Sequence, residues 1–167
     1  MTEYAFVLKY RLPFGMDGAA AIEALGEAGC TDALAGIGIA GRLALEFERE
    51  AAKALDAISS AIHDVQAALP EAELIEVGPD LVGLSEIADL LDVSRQNMRK
   101  LIVGVSGSPL PIHDGSTTLW HLNDVLDWLV AVKGYEIGRQ LRETALAARN
   151  INLDRQISRH TLVLATA

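Results

Sequence analysis

Ser94, Arg95, Gln96, Asn97, Arg99 and Lys100 place six hydrogen-bonding side chains within seven positions, interrupted only by Met98. An arginine can donate a pair of hydrogen bonds to guanine O6 and N7, and a glutamine or asparagine amide matches the N6 and N7 edge of adenine. A lysine is a flexible point charge, better suited to a phosphate. At about 100° per residue, a helix opening at Ser94 gathers Met98, Leu101 and Ile102 on its core side. Gln96 and Lys100 then point away from the core, with Asn97 and Arg99 on the flanks and Arg95 in the first turn. As N-cap, Ser94 accepts a hydrogen bond from a free helix N–H. The remaining free N–H groups and the helix dipole favour a nearby phosphate. The chemistry open to this set is the reading of base edges in double-stranded DNA. The bland alternative is an ordinary solvated helix face, and the segments on either side weigh against it.

Upstream, Ile87, Ala88 and Leu91 fall at helical spacing, and Asp92-Val93 breaks the run. Two helices over residues 84–101 joined by so tight a turn must cross steeply, and Ala88 is small enough to let them approach. That is the pattern of a helix-turn-helix, whose second helix can lie in the major groove. Asp92 stands where such a turn usually favours glycine, and aspartate tolerates the left-handed conformation better than most residues. Downstream, a flexible Gly104–Gly107 precedes short strands expected at Pro109–Ile112 and Thr117–His121. Asp114-Gly115-Ser116 supplies a tight turn between them, so a β-hairpin wing is expected. His113, Ser116 and Thr117 would stand in or beside that turn. Asn123 is expected to cap a helix over Asp124–Val132, with Val125, Leu126, Trp128 and Leu129 inward. Trp120 and Trp128 read as core residues, and His113 and His121 as surface or structural ones.

Residues 81–129 run from Leu-Val-Gly-Leu-Ser-Glu-Ile-Ala-Asp-Leu-Leu-Asp-Val-Ser-Arg-Gln, through Ser-Pro-Leu-Pro-Ile and Leu-Trp-His, to Asn-Asp-Val-Leu-Asp-Trp-Leu. This stretch, about a third of the chain, resembles the excisionase/AlpA-type, MerR-like winged helix-turn-helix family. The likeness rests on the Ser-Arg that opens the second helix, the proline-bearing first wing strand, and Trp120 followed eight residues on by Trp128. The resemblance implies that the second helix enters the major groove through Arg95, Gln96, Asn97, Arg99 and Lys100. It also implies that residues 113–117 reach toward the backbone or minor groove, which makes His113, Ser116 and Thr117 candidate DNA-contacting residues. Family wings commonly carry arginine or lysine, whereas this tip is His113-Asp114-Gly115-Ser116, and His121 stands where a basic residue is frequent.

The resemblance stops short of residues 1–79. There, Glu3–Leu12 reads as a strand ended by Pro13, and Gly18–Ala28 as a helix capped by Asp17 and closed by Gly29. A weak strand near Ala33–Ile37 leads to a clearer one at Arg42–Glu48, where Leu43, Leu45 and Phe47 alternate with polar neighbours. Glu50–Leu69 carries the apolar stripe Ala54, Ile58, Ile62, Val65, Leu69 of a helix. Pro70 stops it, and Leu74–Val77 makes a last strand before Gly78-Pro79-Asp80. Strand, helix, strand, strand, helix, strand is the order of a ferredoxin-like domain.

The expected chain is therefore α+β in three parts. An acidic ferredoxin-like βαββαβ domain covers 1–79 and a winged helix-turn-helix DNA-binding domain covers 80–133. A C-terminal helix and apolar tail over 134–167 would serve dimerisation or partner contact. In the last part Ile137, Leu141, Ala145, Ala148 and Ile151 form a stripe narrow enough for a dimer partner's surface or for the chain's own. Thr161–Ala165 is expected as an extra edge strand.

Net charge is −9, carried by the first half: residues 1–83 hold 5 basic and 14 acidic side chains, 84–133 hold 4 and 6, and 134–167 hold 5 and 3. Weak non-specific DNA affinity follows. RNA binding on the N-terminal sheet is disfavoured by Glu46 and Glu48 on the face it would use. There is no GxSxG, P-loop or HExxH motif, so catalysis is not expected. Cys30 reads as an inert thiol, and His63 and Asp64 diverge as neighbours on a helix. No metal or cofactor is expected. With no membrane-spanning run and no secretory leader, a cytoplasmic setting is expected. The expected function is sequence-selective binding of double-stranded DNA, as a homodimeric bacterial-type transcriptional regulator. The competing one is a protein-interaction adaptor or antitoxin-like partner, using the acidic N-terminal domain or the tail.

Overall fold

Ten residues of alternating character open the chain as β1 (Thr2–Arg11), with Tyr4, Phe6, Leu8 and Tyr10 buried and Glu3, Ala5, Lys9 and Arg11 exposed. The computed structural model describes residues 1–166, with side chains described through Thr161. It is α+β, with six helices and two small antiparallel sheets among the described residues. Following β1 come α1 (Gly18–Glu27), β2 (Ala33–Gly36), β3 (Arg42–Ala51), α2 (Ala54–Ala68) and β4 (Glu73–Gly78). The four strands pair antiparallel in the order β2-β3-β1-β4. Period-two alternation puts the apolar side of β1 and β3 under α1 and α2, whose Ala21, Leu25, Ile58, Ala61 and Val65 close the first core. Phe6 and Phe47 face each other across the β1–β3 ladder, with stacked rings 5.3 Å apart. Such a pair contributes about 1 kcal/mol beyond its area burial.

Asp17 caps α1 as expected, accepting from Ala20 N–H at 2.8 Å. Two boundaries move. β3 continues past Glu48 because Glu50 and Ala51 pair with Glu3 and Thr2, so α2 starts at Ala54 rather than Glu50. Cys30 is buried in the first core, and burial pushes its thiol pKa up. His63 and Asp64 do diverge, and Asp64 pairs instead with Arg49 at 2.9 Å.

The second unit begins after a cis Gly78–Pro79 bond. It comprises β5 (Leu81–Val82), α3 (Leu84–Leu90), α4 (Arg95–Ile102), β6 (His113–Asp114), β7 (Thr118–His121) and α5 (Leu122–Lys133). Its sheet order is β5-β7-β6. Ile87, Ala88, Met98, Ile102, Trp120, Leu122, Leu126 and Leu129 form its core. Three expectations are corrected here. The first hairpin strand is β6, not Pro109–Ile112, since two prolines without N–H groups cannot sustain a ladder. Only Ile112 N–H reaches Leu119 O, at 2.7 Å, and Trp120 Nε1 donates to Pro109 O at 3.2 Å. Asn123 does not cap α5. The helix starts two residues earlier, at Leu122, and Asn123 is buried with its amide on Asp127 at 3.2 Å. Strand β5, unforeseen, pairs Leu81 with His121 and Val82 with Trp120.

Helix α6 (Arg139–Thr166) lies along both units. Its Leu141 and Ala145, with Ile137 just before the helix, join the second core, while Ala147, Ala148 and Ile151 join the first. The narrow stripe is thus occupied within the chain. Thr161 and the residues after it continue α6, which replaces the expected edge strand, because an unbroken helix leads straight into them. Side chains beyond Thr161, and any partner contact expected of that tail, lie outside the described residues. No described helix is long and apolar enough to cross a membrane.

Candidate nucleic-acid interface

The turn between α3 and α4 is set by two local devices. Asp92 adopts a left-handed conformation at φ 53°, the position where aspartate is tolerated best among non-glycine residues. Ser94 then caps α4, its hydroxyl accepting from Asn97 N–H at 3.1 Å. At the other end of the motif, Gly83 N–H donates to Glu86 Oε1 at 3.3 Å and starts α3. These contacts orient α4 so that Met98 and Ile102 are buried beneath it.

Arg95, Gln96, Asn97, Arg99 and Lys100 are all exposed. Arg95 and Arg99, one turn apart, share a ridge that faces the β6–β7 turn. Together with Ser116, Thr117 and Asp114 they line a groove of about 880 Å³, floored by Ile102 and Trp120. Gln96 and Lys100, also one turn apart, form the neighbouring ridge outside that groove. Six of the nine candidate residues are therefore in or next to α4, and Ser116 and Thr117 stand across the groove from it. His113 is the exception. It is exposed at the turn, with its ring folded onto Gly115, and does not line the groove.

Electrostatics at the groove are mixed. None of Arg95, Arg99 and Lys100 forms an ion pair among the described residues, whereas Arg11, Arg49, Arg139, Arg142 and Arg149 are each matched to a carboxylate. Glu86 and Asp114 also border the groove. Glu86 is engaged with Gly83, and Asp114 Oδ1 accepts from Thr118 Oγ1 at 3.4 Å. Ser85, in the first turn of α3, lines the groove and was not singled out from the sequence. Its signal was the Gly83-Leu-Ser-Glu86 helix start, which leaves a polar side chain beside free N–H groups.

His121 does not belong to this surface. Its Nδ1 lies 2.7 Å from Asp80 Oδ1, where Asp80 is 1 % exposed. Asp80 O also receives Leu122 N–H at 2.7 Å, which fixes the start of α5. The histidine is a structural residue that ties the hairpin to the segment leaving β4.

Comparison with family models, with curated proteins and with solved structures returned no match.

Proposed function

We propose that the chain is a sequence-selective DNA-binding protein, a regulator of bacterial type that acts as a homodimer. In this reading α4 enters the major groove and the β6–β7 turn reaches toward the backbone or minor groove. The arrangement of α3, α4 and the β5-β7-β6 sheet supports a winged helix-turn-helix of the excisionase/AlpA-type, MerR-like kind. The order β2-β3-β1-β4 with two helices on one face supports a ferredoxin-like N-terminal unit. One observation carries the reading: α4 buries Met98 and Ile102 and turns five polar side chains to solvent, three of them cations without a carboxylate partner among the described residues. Arg95 and Arg99 are assigned to base edges, Gln96 and Asn97 to adenine edges, and Lys100, Ser116 and Thr117 to phosphates. With few cations per copy, two-fold repetition on paired half-sites supplies the affinity that one short helix lacks.

The test is capture of fragmented genomic DNA on the full chain, followed by elution across a salt series. A specific site outlasts salt that strips non-specific contacts. Recovery of no enriched sequence at any salt would remove the proposal.

A second reading is favoured by a separate observation. Glu46 and Glu48 are exposed on the open face of the N-terminal sheet, beside a groove of about 590 Å³ that runs from Val7 to Leu90 of α3. An adaptor or antitoxin-like protein would use that acidic unit, or the tail, to hold another protein. A stoichiometric protein partner with no DNA enrichment in a pull-down from the native host would favour it.

A further inference from the structure

Strand β2 is the outermost of the first sheet, and no described strand pairs with its outer side. No described backbone hydrogen bond outside the β2–β3 ladder involves Ala33–Gly36. Folded proteins usually shield such an edge with lysine, proline, a bulge or a covering element. Here the edge reads Ala-Leu-Ala-Gly, and its register against β3 is unbroken.

The surroundings add to this. Residues 33–41 contain no charged side chain in a chain of net charge −9. Leu34 is 71 % exposed, Ile39 69 % and Phe14 fully so. The loop that carries Phe14 is tied to the loop after β2, because Leu12 N–H donates to Gly41 O at 2.9 Å. Apolar surface therefore extends past the end of the strand.

We propose that two copies of this chain join through the outer edge of β2, making one continuous antiparallel sheet of eight strands across a two-fold axis. The proposal deepens the homodimer reading given above and rests on it for the need of a second copy. Antiparallel pairing of a strand with itself is self-complementary: each copy offers the same donors and acceptors in opposite order, as an isologous interface requires. Charge decides between occupants. Two acidic copies repel wherever their charged faces meet, but residues 33–41 carry no charge and Asp32, which would flank the pair, is already matched to Arg49 at 2.8 Å, so repulsion is weakest along this edge; a cationic partner would seek Glu46 and Glu48 on the open face instead. A four-residue edge falls short of the ~800 Å² per partner of a stable interface. Leu34, Ile37, Ile39 and Phe14 supply the additional apolar area.

The experiment is sedimentation velocity on the full chain over roughly 1–100 µM. The wild type is expected to sediment as a dimer. Leu34→Lys and Ile39→Lys, each an exposed position whose change leaves the core untouched, are expected to raise the dimer dissociation constant at least about tenfold, because each puts a solvated ammonium where the contact must bury apolar surface. Circular dichroism checks that both remain folded. Val132→Lys, on exposed surface of α5, is expected to stay dimeric. A monomeric wild type over that range overturns the proposal, and so do both lysine variants sedimenting with wild-type affinity. The DNA reading fails separately. A chain that dimerises through β2 and enriches no DNA sinks that reading alone, and one that binds a site while both variants stay dimeric sinks only the edge.

Discussion

Asn152 of α6 donates its amide to the Asp80 carboxylate at 2.8 Å, at the point where the chain leaves β4 for the second unit. The same amide group donates to Val77 O at 2.8 Å and accepts from Val77 N–H at 2.9 Å. With His121 on the other carboxylate oxygen of Asp80, β4, β7 and α6 are tied together at this junction by polar side-chain contacts. The segment after Gly78 is therefore a fixed joint and not a linker, despite its Gly-Pro composition.

Asn152→Ala is expected to cost about 3 kcal/mol, since it strands a buried backbone N–H and C=O together with part of a buried carboxylate. Urea unfolding followed by circular dichroism measures it. A loss below about 0.5 kcal/mol, the range of an ordinary surface change, would contradict the geometry.

Arg95→Ala and Arg99→Ala remove exposed side chains, so the unfolding midpoint should hardly move. Each is expected to weaken specific DNA binding about tenfold to a hundredfold, as the loss of a paired guanine contact does. Lys100→Ala should weaken binding to all sequences alike and lower the salt slope by about one. Fluorescence anisotropy with a captured site at several salt concentrations separates the two patterns. Wild-type affinity in both arginine variants would refute the assignment of α4.

Glu76 supplies the pH dependence. Burial in the groove beside α3 raises its carboxyl pKa, and Asp80 and Glu86 push the same way against Lys9. As pH climbs past the ordinary glutamate value of about 4.3, the unfolded chain ionises this group while the folded one resists. Wild-type stability is therefore lost over that interval relative to Glu76→Gln, and the gap stops growing above the raised pKa. Matching thermal melts of the two proteins from pH 3.5 to 8 should show the variant equal at the acid end and more stable at neutral pH. A variant less stable than wild type at neutral pH would reverse the sign and exclude burial as the cause.

The α3–α4 turn gives a backbone test. Asp92→Gly should raise stability by about 0.5–1 kcal/mol by relieving the left-handed conformation, and Asp92→Val should lower it by more than about 1 kcal/mol. Loss of the α4 cap in Ser94→Ala should cost about 1 kcal/mol. Thermal unfolding reads all three. Asp92→Val matching the wild type would mean that the turn is not held left-handed in solution.

Where a residue's environment is set by its near neighbours, the sequence was informative. Leu43, Leu45 and Phe47 could be placed on a buried face because alternation alone fixes it, and Met98 and Ile102 beneath α4 because a helical period fixes it. Asp17, Ser94 and the left-handed Asp92 are likewise local. Distant pairing was not legible. The end of β3 is decided by Thr2 and Glu3, and β5 exists only because Trp120 and His121 lie beside it. Asn123 looked like a cap because nothing in its neighbourhood reveals that Asp80 O already holds Leu122 N–H. In the candidate site, the polar types on α4 could be read in advance. That Arg95 and Arg99 face Ser116 and Thr117 could not, since it depends on how the hairpin folds back over α4.

Helix α6 also sets an order of events during synthesis. The sheet that the ribosome releases first is completed by Ala147, Ala148, Ile151 and Asn152, which emerge some seventy residues after β4. Until then Val77 has no side-chain partner for its backbone groups, and one side of the first core stays open to water. A chain released before α6 would thus carry two incomplete halves rather than one finished and one missing. Long-range closure of this kind slows folding and leaves apolar surface exposed to other nascent chains.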